Sequence, residues 1–198
     1  MTGIIILAAG ASVRLGKPKQ NLIYKGQTLL QRTIETANAS VCDPVIVVTG
    51  ANKDVIEPTI KNLNIITVYN EAWQEGMASS IRSGIIEMQK IEPKVTSVIL
   101  MLCDQPLVDT HILNLLILAK SKEGIAVCAY NETLGPPALF DAVYFPELLS
   151  LKGQEGAKKL LLKYADKAHV IPFPQGIIDI DTLEDFEKLS ASHLNPPR

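Results

Sequence analysis

The sequence predicts an α/β protein built on a mostly parallel, three-layer sheet, and three observations carry that expectation. Apolar runs rich in β-branched residues alternate with segments of helical period along the 198 residues. One run, Val98-Ile99-Leu100-Met101-Leu102, is apolar without a break, as a strand covered on both faces must be. The polar residues that interrupt the pattern fall just after strands, where open α/β sheets bind ligands.

Taken in order, Gly3–Ala8 reads as the first strand, and Thr28–Ala39 as a helix with Leu30, Ile34 and Ala37 on one face. Pro44–Thr49 is a second strand closed by Gly50, and Asp54–Leu63 a helix weakened by Pro58. Asn64–Tyr69 is a third strand. Ala78–Lys90 is a helix that buries Ile81, Ile85 and Met88, and Ser97–Cys103 is the apolar central strand. Asp109 caps a helix running to Lys120. Ile125–Tyr130 and Pro137–Phe140 are strands joined by a glycine-containing loop; Val143–Ser150 and Gln154–Ala165 are helical. Val170–Pro172 and Ile177–Ile180 are short strands, Thr182–Ser190 is a last helix, and His193–Arg198 a loose tail. No repeat or linker divides the chain, so residues 1–198 are expected to form one domain.

Composition narrows the function classes. A formal net charge of -2 gives no electrostatic reason to expect nucleic acid or a membrane surface. Cys42, Cys103 and Cys128 form neither a disulfide framework nor a zinc pattern and fit a reducing compartment. Met1-Thr2-Gly3 lacks the basic region of a signal peptide, and no apolar stretch is long enough to span a bilayer. A cytoplasmic protein is expected.

The first strand feeds a loop of small residues that carries Ser12, Arg14, Lys17 and Lys19. Small residues admit a ligand close to the backbone, and free N–H groups beside cations suit a polyphosphate. The Walker spacing fails, because Gly10 is followed at the required place by Leu15 and Gly16-Lys17 by Pro18. The dinucleotide fingerprint fails as well, with Ala8 and Ser12 where glycines belong. A nucleoside triphosphate site at the end of the first strand is the reading that remains.

Asp104 follows the apolar strand, in a turn stiffened by Pro106, and is expected to stand exposed at the ligand edge. A hard oxygen ligand beside a polyphosphate suits Mg²⁺, which takes one or two carboxylates plus phosphate oxygens. Asp179 and Asp181, two apart on an extended segment, point to one side and need a cation near them. One of them is expected to complete the metal site while Asp181 or Thr182 caps the last helix; the choice stays open. Trp73, near Gly76, Ser79 and Ser80, either lines the pocket or packs as an ordinary aromatic. The serines either bind ligand or cap a helix. Gly135-Pro136-Pro137 either shapes an acceptor pocket or forms a tight hairpin. His111, His169 and His193 lack metal-ligand spacing.

Leu7-Ala8-Ala9-Gly10-x-Ser12-x-Arg14-x-Gly16-x-x-Lys19 resembles the signature loop of nucleotidyltransferases with a GT-A-like, Rossmann-like fold. Within them the chain resembles the molybdenum cofactor cytidylyltransferase branch of the MobA-like NTP transferases. The likeness continues through Pro18-Lys19-Gln20, the Asn70–Gly84 segment, Asp104-Gln105-Pro106, Gly135-Pro136-Pro137-Ala138, Gly153-x-x-Gly156-Ala157 and Asp179-Ile180-Asp181-Thr182-x-x-Asp185. The resemblance implies a Mg²⁺-dependent transfer of CMP from CTP to the phosphate of a molybdopterin-type acceptor, with release of pyrophosphate. It implies that Arg14, Lys19 and Asp104 are catalytic. Leu7, Ala8, Ala9, Gly10, Ser12, Gly76, Ser79 and Ser80, with Arg14 and Lys19, would bind nucleotide. Asp104 with Asp179 or Asp181 would bind metal, and Gly135, Pro137, Gly153 and Gly156 the acceptor. Leu-Ala-Ala-Gly, where guanylyltransferase relatives show Leu-Ala-Gly-Gly, favours CTP over GTP. Gln154 and Lys158 stand where the family often has Asp and Arg, which leaves the acceptor open. A guanylyltransferase, a cytidylyltransferase for another small phosphate, and a non-catalytic carrier delivering nucleotide or cofactor to a molybdoenzyme are the competing expectations.

Overall fold

The computed structural model describes residues 1–120 and 124–194. Strands β1 (Thr2–Leu7), β4 (Val45–Thr49), β5 (Ile66–Tyr69), β6 (Ser97–Leu102), β7 (Ile125–Tyr130), β8 (Thr133–Asp141) and β9 (Ala168–Pro172) form one sheet. Its order is β5-β4-β1-β6-β8-β7-β9. All neighbours are parallel except at β8, which runs antiparallel to both β6 and β7. The expected mostly parallel sheet is therefore present, with one reversed strand inside it.

Alternation along the strands makes the three layers. Ile4 and Ile6 of β1, with Val45 and Val47 of β4, face a core shared with α1 (Leu29–Asn38), α2 (Lys53–Ile60) and α4 (Thr110–Leu118). Ile5, Ile46 and Val48 face the other way, toward α3 (Met77–Ile91), α5 (Phe145–Ser150) and α6 (Lys158–Lys163). Local chemistry sets the helix starts. Thr28 caps α1 in a reciprocal box with Gln31, both bonds 3.0 Å. Asp109 accepts from the Ile112 amide at 2.9 Å, the cap expected from the sequence.

Several expected elements are redrawn. A hairpin of β2 (Ile23–Tyr24) and β3 (Gln27–Thr28), turning at Lys25-Gly26 with φ of 51° and 83°, was not anticipated. The loop expected between β7 and β8 shrinks to a two-residue turn at Asn131-Glu132, with φ of 46° and 58°. Gly135 and the prolines lie inside β8 instead. The register breaks there: Val127 pairs with Ala138 but Cys128 with Gly135. The two prolines, which have no N–H to give, occupy the break. The helix expected over Gln154–Ala165 contracts to α6 because Gly153 and Gly156 hold the preceding turn against α3. Ile177–Ile180 is not a strand. Pro174–Ile177 forms a 3-10 turn, and Ile180 N–H bonds the Asp104 carbonyl at 2.9 Å.

The last helix, α7 (Leu183–Leu194), includes the first two residues of the expected tail; residues 195–198 lie outside the described ones. A small core of Leu15, Leu22, Tyr24, Leu29, Ile180 and Leu189 ties this C-terminal segment to the opening loop. Burying a side chain such as Ile180, 0% exposed, stabilises by about 1.5–3 kcal/mol. That packing fixes where Asp181 stands. Among the described residues no helix is long and apolar enough to cross a membrane.

Candidate active site

A cavity of about 330 Å³ opens at the carboxyl ends of β1 and β6. Leu7, Ala8, Ala9 and Gly10 form one wall; Trp73, Gly76, Met77 and Ser80 form another; Lys19 and Asp104 stand on its rim. Gln20, 1% exposed, braces the loop by donating from Nε2 to the carbonyls of Ala8 at 2.8 Å and Gly10 at 3.2 Å. Ser12, at a left-handed φ of 53°, accepts from the Lys19 amide at 3.1 Å and does not line the cavity. Its place is in shaping the loop that aims Lys19.

Four charges from three distant parts of the chain meet here. Lys19 Nζ lies 2.5 Å from Asp104 Oδ2 and 3.2 Å from Asp181 Oδ1, and Arg14 Nη2 lies 2.7 Å from Asp181 Oδ2. Burial by itself would push the Lys19 ammonium down, but Asp104 and Asp181 outweigh it and hold it above the ordinary lysine value. Asp104 is not exposed as expected: its side chain is 14% accessible, because Ile180 and the 174–181 segment close over it.

The two later aspartates separate. The open segment that carries them turns Asp181 onto Lys19 and leaves Asp179 lining a second cavity with Asp104, where burial and then the charges of Asp104 and Asp181 raise its carboxyl above the ordinary value. The helix cap belongs to neither. Thr182 and Asp185 cap α7 reciprocally, the Asp185 carboxylate accepting from Thr182 N–H at 2.8 Å and Thr182 Oγ1 accepting from Asp185 N–H at 3.2 Å.

The serines divide as well. Ser79 is 2% exposed and absent from the cavity wall; with Ser80 it accepts from Asn70 Nδ2, at 2.8 and 3.0 Å. Trp73 both packs against the core and lines the cavity. Its neighbour Gly50 is required there, since a Cβ would lie 2.8 Å from Trp73 Cβ and Ala9 Cβ. The four residues expected at the acceptor do not gather. Gly153 and Gly156 abut Gly76 and Met77 beside the first cavity, whereas Gly135 and Pro137 lie in β8. Gln20, Gln74, Met77 and Gln154 line the first cavity without having been singled out for it. Each stood in a stretch that carried a signal: Gln20 in Pro18-Lys19-Gln20, Gln74 and Met77 in Asn70–Gly84, and Gln154 where the family often has Asp. Lys17, His111 and His169 are exposed.

Metal fit follows from the donor set. Asp104 Oδ1 is buried with no hydrogen-bond partner, an acceptor that nothing in the protein satisfies. No group of three His, Cys, Asp or Glu side chains among the described residues is placed to hold an ion unaided. Two carboxylates completed by phosphate oxygens match the demand of Mg²⁺ or Mn²⁺ better than a closed protein cage would.

Residues 4–168 match the MobA-like NTP transferase domain. Purine catabolism protein PucB of Bacillus subtilis (strain 168) is 29% identical over 92% of this chain and 93% of its own. Nicotine blue oxidoreductase of Paenarthrobacter nicotinovorans is 28% identical, over 96% of each. Molybdenum cofactor cytidylyltransferase of Escherichia coli (strain K12) is 25% identical, over 92% of each. Rv0371c of Mycobacterium tuberculosis H37Rv superposes with a TM-score of 0.84 at 30% identity, covering 96% of this chain and 97% of that one. A manganese complex of the same protein gives 0.80 at 28% identity, covering 96% and 98%.

Proposed function

We propose, for a chain that belongs to the MobA-like NTP transferase domain family, that it transfers CMP from CTP to a molybdopterin-type phosphate acceptor. The observation that carries this reading is Lys19 set between Asp104 and Asp181 on the rim of the cavity walled by Leu7–Gly10. Support for the base is the Leu7-Ala8-Ala9-Gly10 form of the loop, and for the acceptor the likeness to the Escherichia coli cytidylyltransferase. On this reading residues 1–198 act as one domain in the cytoplasm. The partners are small molecules, with a molybdoenzyme to receive the product.

In the reaction, an oxygen of the acceptor phosphate attacks the α-phosphorus of CTP. The bond to the bridging oxygen breaks, and pyrophosphate leaves with the electron pair. The backbone of Ala8–Gly10 holds base and ribose. Lys19 and Arg14, drawn from their carboxylates, grip the phosphates and offset the charge that builds on the leaving group. Asp104 and Asp181 are the ligands offered to Mg²⁺, Asp181 rather than Asp179 because only it shares Lys19 with Asp104. The ion, when bound, neutralises and orients the phosphates. Positioning and electrostatics suffice, since such transfers ask little covalent chemistry of the protein.

The test is pyrophosphate release with each of the four nucleoside triphosphates over a panel of phosphate acceptors, with Asp104→Asn as control. CTP with a molybdopterin acceptor is expected to support turnover, and the control to abolish it. Release with GTP and not CTP overturns the base assignment. Tight CTP binding without release on any acceptor replaces the enzyme by a carrier.

A further inference from the structure

A second cavity, about 360 Å³, lies between the β7–β8 turn and the 174–179 segment. It shares only Leu102 and Asp104 with the nucleotide cavity, so its occupant would stand across one carboxylate from the triphosphate. The site described next rests on the reaction proposed above and adds where the acceptor goes and what chemistry recognises it.

The polar wall is built around Tyr130. Two glycine backbones clasp its side chain: a Cβ on Gly135 would stand 2.1 Å from the hydroxyl oxygen, and one on Gly176 would stand 2.5 Å from ring Cδ1. Gln105, 5% exposed, donates from Nε2 to the Tyr130 hydroxyl at 3.2 Å and to the Gly176 carbonyl at 3.0 Å. A carbonyl can only accept, so the amide orientation is fixed and the tyrosine oxygen serves Gln105 as acceptor. The phenolic proton is left to donate elsewhere. Gln105 Oε1 is buried without a partner. The assembly is rigid, and none of it is needed by the nucleotide cavity.

Charge selects the ligand. Among the described residues lining this cavity there is no lysine or arginine; its charged groups are Asp104 and Asp179, joined by the neutral Asn131 and Thr133. A phosphate here would face two carboxylates with no cation in the cavity wall, Lys19 being bonded to Asp104 from the first cavity. An uncharged body carrying O–H or N–H groups would meet acceptors instead. We infer that this cavity receives the uncharged body of the acceptor, its O–H or N–H groups read by Asp179 and Thr133 and an oxygen or ring nitrogen by the Tyr130 proton, while the reacting phosphate stays at the Asp104–Lys19 border. The shared chemistry fits a polyol or a ring with N–H groups.

Calorimetric titration of the full chain, with and without Mg²⁺ and a non-hydrolysable CTP analogue, tests this with three probes: 6-methylpterin, ribitol and inorganic phosphate. At least one uncharged probe is expected to bind, and which one identifies the donor type. Tyr130→Phe is expected to weaken it about tenfold, the scale of one hydrogen bond, with the affinity for the CTP analogue unchanged. Thr133→Val gives the same readout if Tyr130→Phe does not fold. Binding of neither uncharged probe, displacement of the bound probe by phosphate, or parallel loss of probe and nucleotide affinity overturns the inference. Failure of the transferase reading shows separately, as absent pyrophosphate release with probe affinities intact.

Discussion

At Lys19 a single ammonium holds the carboxylates of Asp104 and Asp181, and Arg14 shares the second of them. Removing that ammonium takes away the half-buried cation best placed for the phosphates. Lys19→Met is therefore expected to lower kcat/KM for pyrophosphate release by about a hundredfold or more, about 2.7 kcal/mol of barrier. Asp181 and Asp179 are told apart by metal dependence. Asp181→Asn should raise the metal concentration that gives half-maximal rate about tenfold, the loss of one charged ligand, whereas Asp179→Asn should leave that concentration where it was. Equal shifts for the two variants would place both carboxylates on the ion. Arg14, Lys19 and Asp104 were legible in sequence because charged groups directly after apolar strands have few structural uses. Gln20 and Gln105 entered the candidate site only as members of Pro18-Lys19-Gln20 and Asp104-Gln105-Pro106, and Tyr130 not at all, since a neutral side chain that bonds a backbone carbonyl or another side chain leaves no charge pattern. The separation of Asp179 from Asp181 was hidden too, because their two-residue spacing speaks to one face only if the segment is extended in a ladder.

Among elements, the turn ending at Gly76 and the turn at Gly153 meet backbone to backbone. Gly76 has φ of 111°, and a Cβ there would lie 2.5 Å from the Gly153 carbonyl oxygen. Gly76→Ala is expected to cost about 2–3 kcal/mol in a urea melt and to weaken nucleotide binding in the same protein, because Gly76 also walls the cavity. Thr28→Ala, which removes the α1 capping box, should cost about 1 kcal/mol and leave nucleotide affinity unchanged. The pair separates a junction at the site from a cap remote from it. Elements with a full apolar period or an unbroken apolar run, such as α3 and β6, were readable from sequence. The β2–β3 hairpin was not, having two residues per strand and too few positions for a period of two to show. The 174–181 segment misled for the opposite reason: Ile177, Ile178 and Ile180 have the composition of a strand, yet of the three only Ile180 is buried and the segment never enters the sheet.

Across the whole molecule, buried groups that keep their protons make folding sensitive to alkali. Burial pushes the Cys103 and Cys128 thiols from an ordinary value of 9 to about 12. Lys19 is also held above its ordinary value, by its carboxylates, and Tyr130 is raised by burial. The sign is the same for each. Between pH 9 and 12 the unfolded chain gives up thiol protons that the folded chain retains, so the folded state binds more protons and its stability falls as pH rises. The two thiols together contribute a slope of at most about 2.7 kcal/mol per pH unit. Urea midpoints at pH 8 and pH 10.5 should therefore differ, the higher pH being the less stable. Cys128→Ala should flatten the slope while lowering the midpoint at pH 8 through the space it leaves in the sheet core. An unchanged slope in that variant would mean that the thiol is not what couples this sheet to pH.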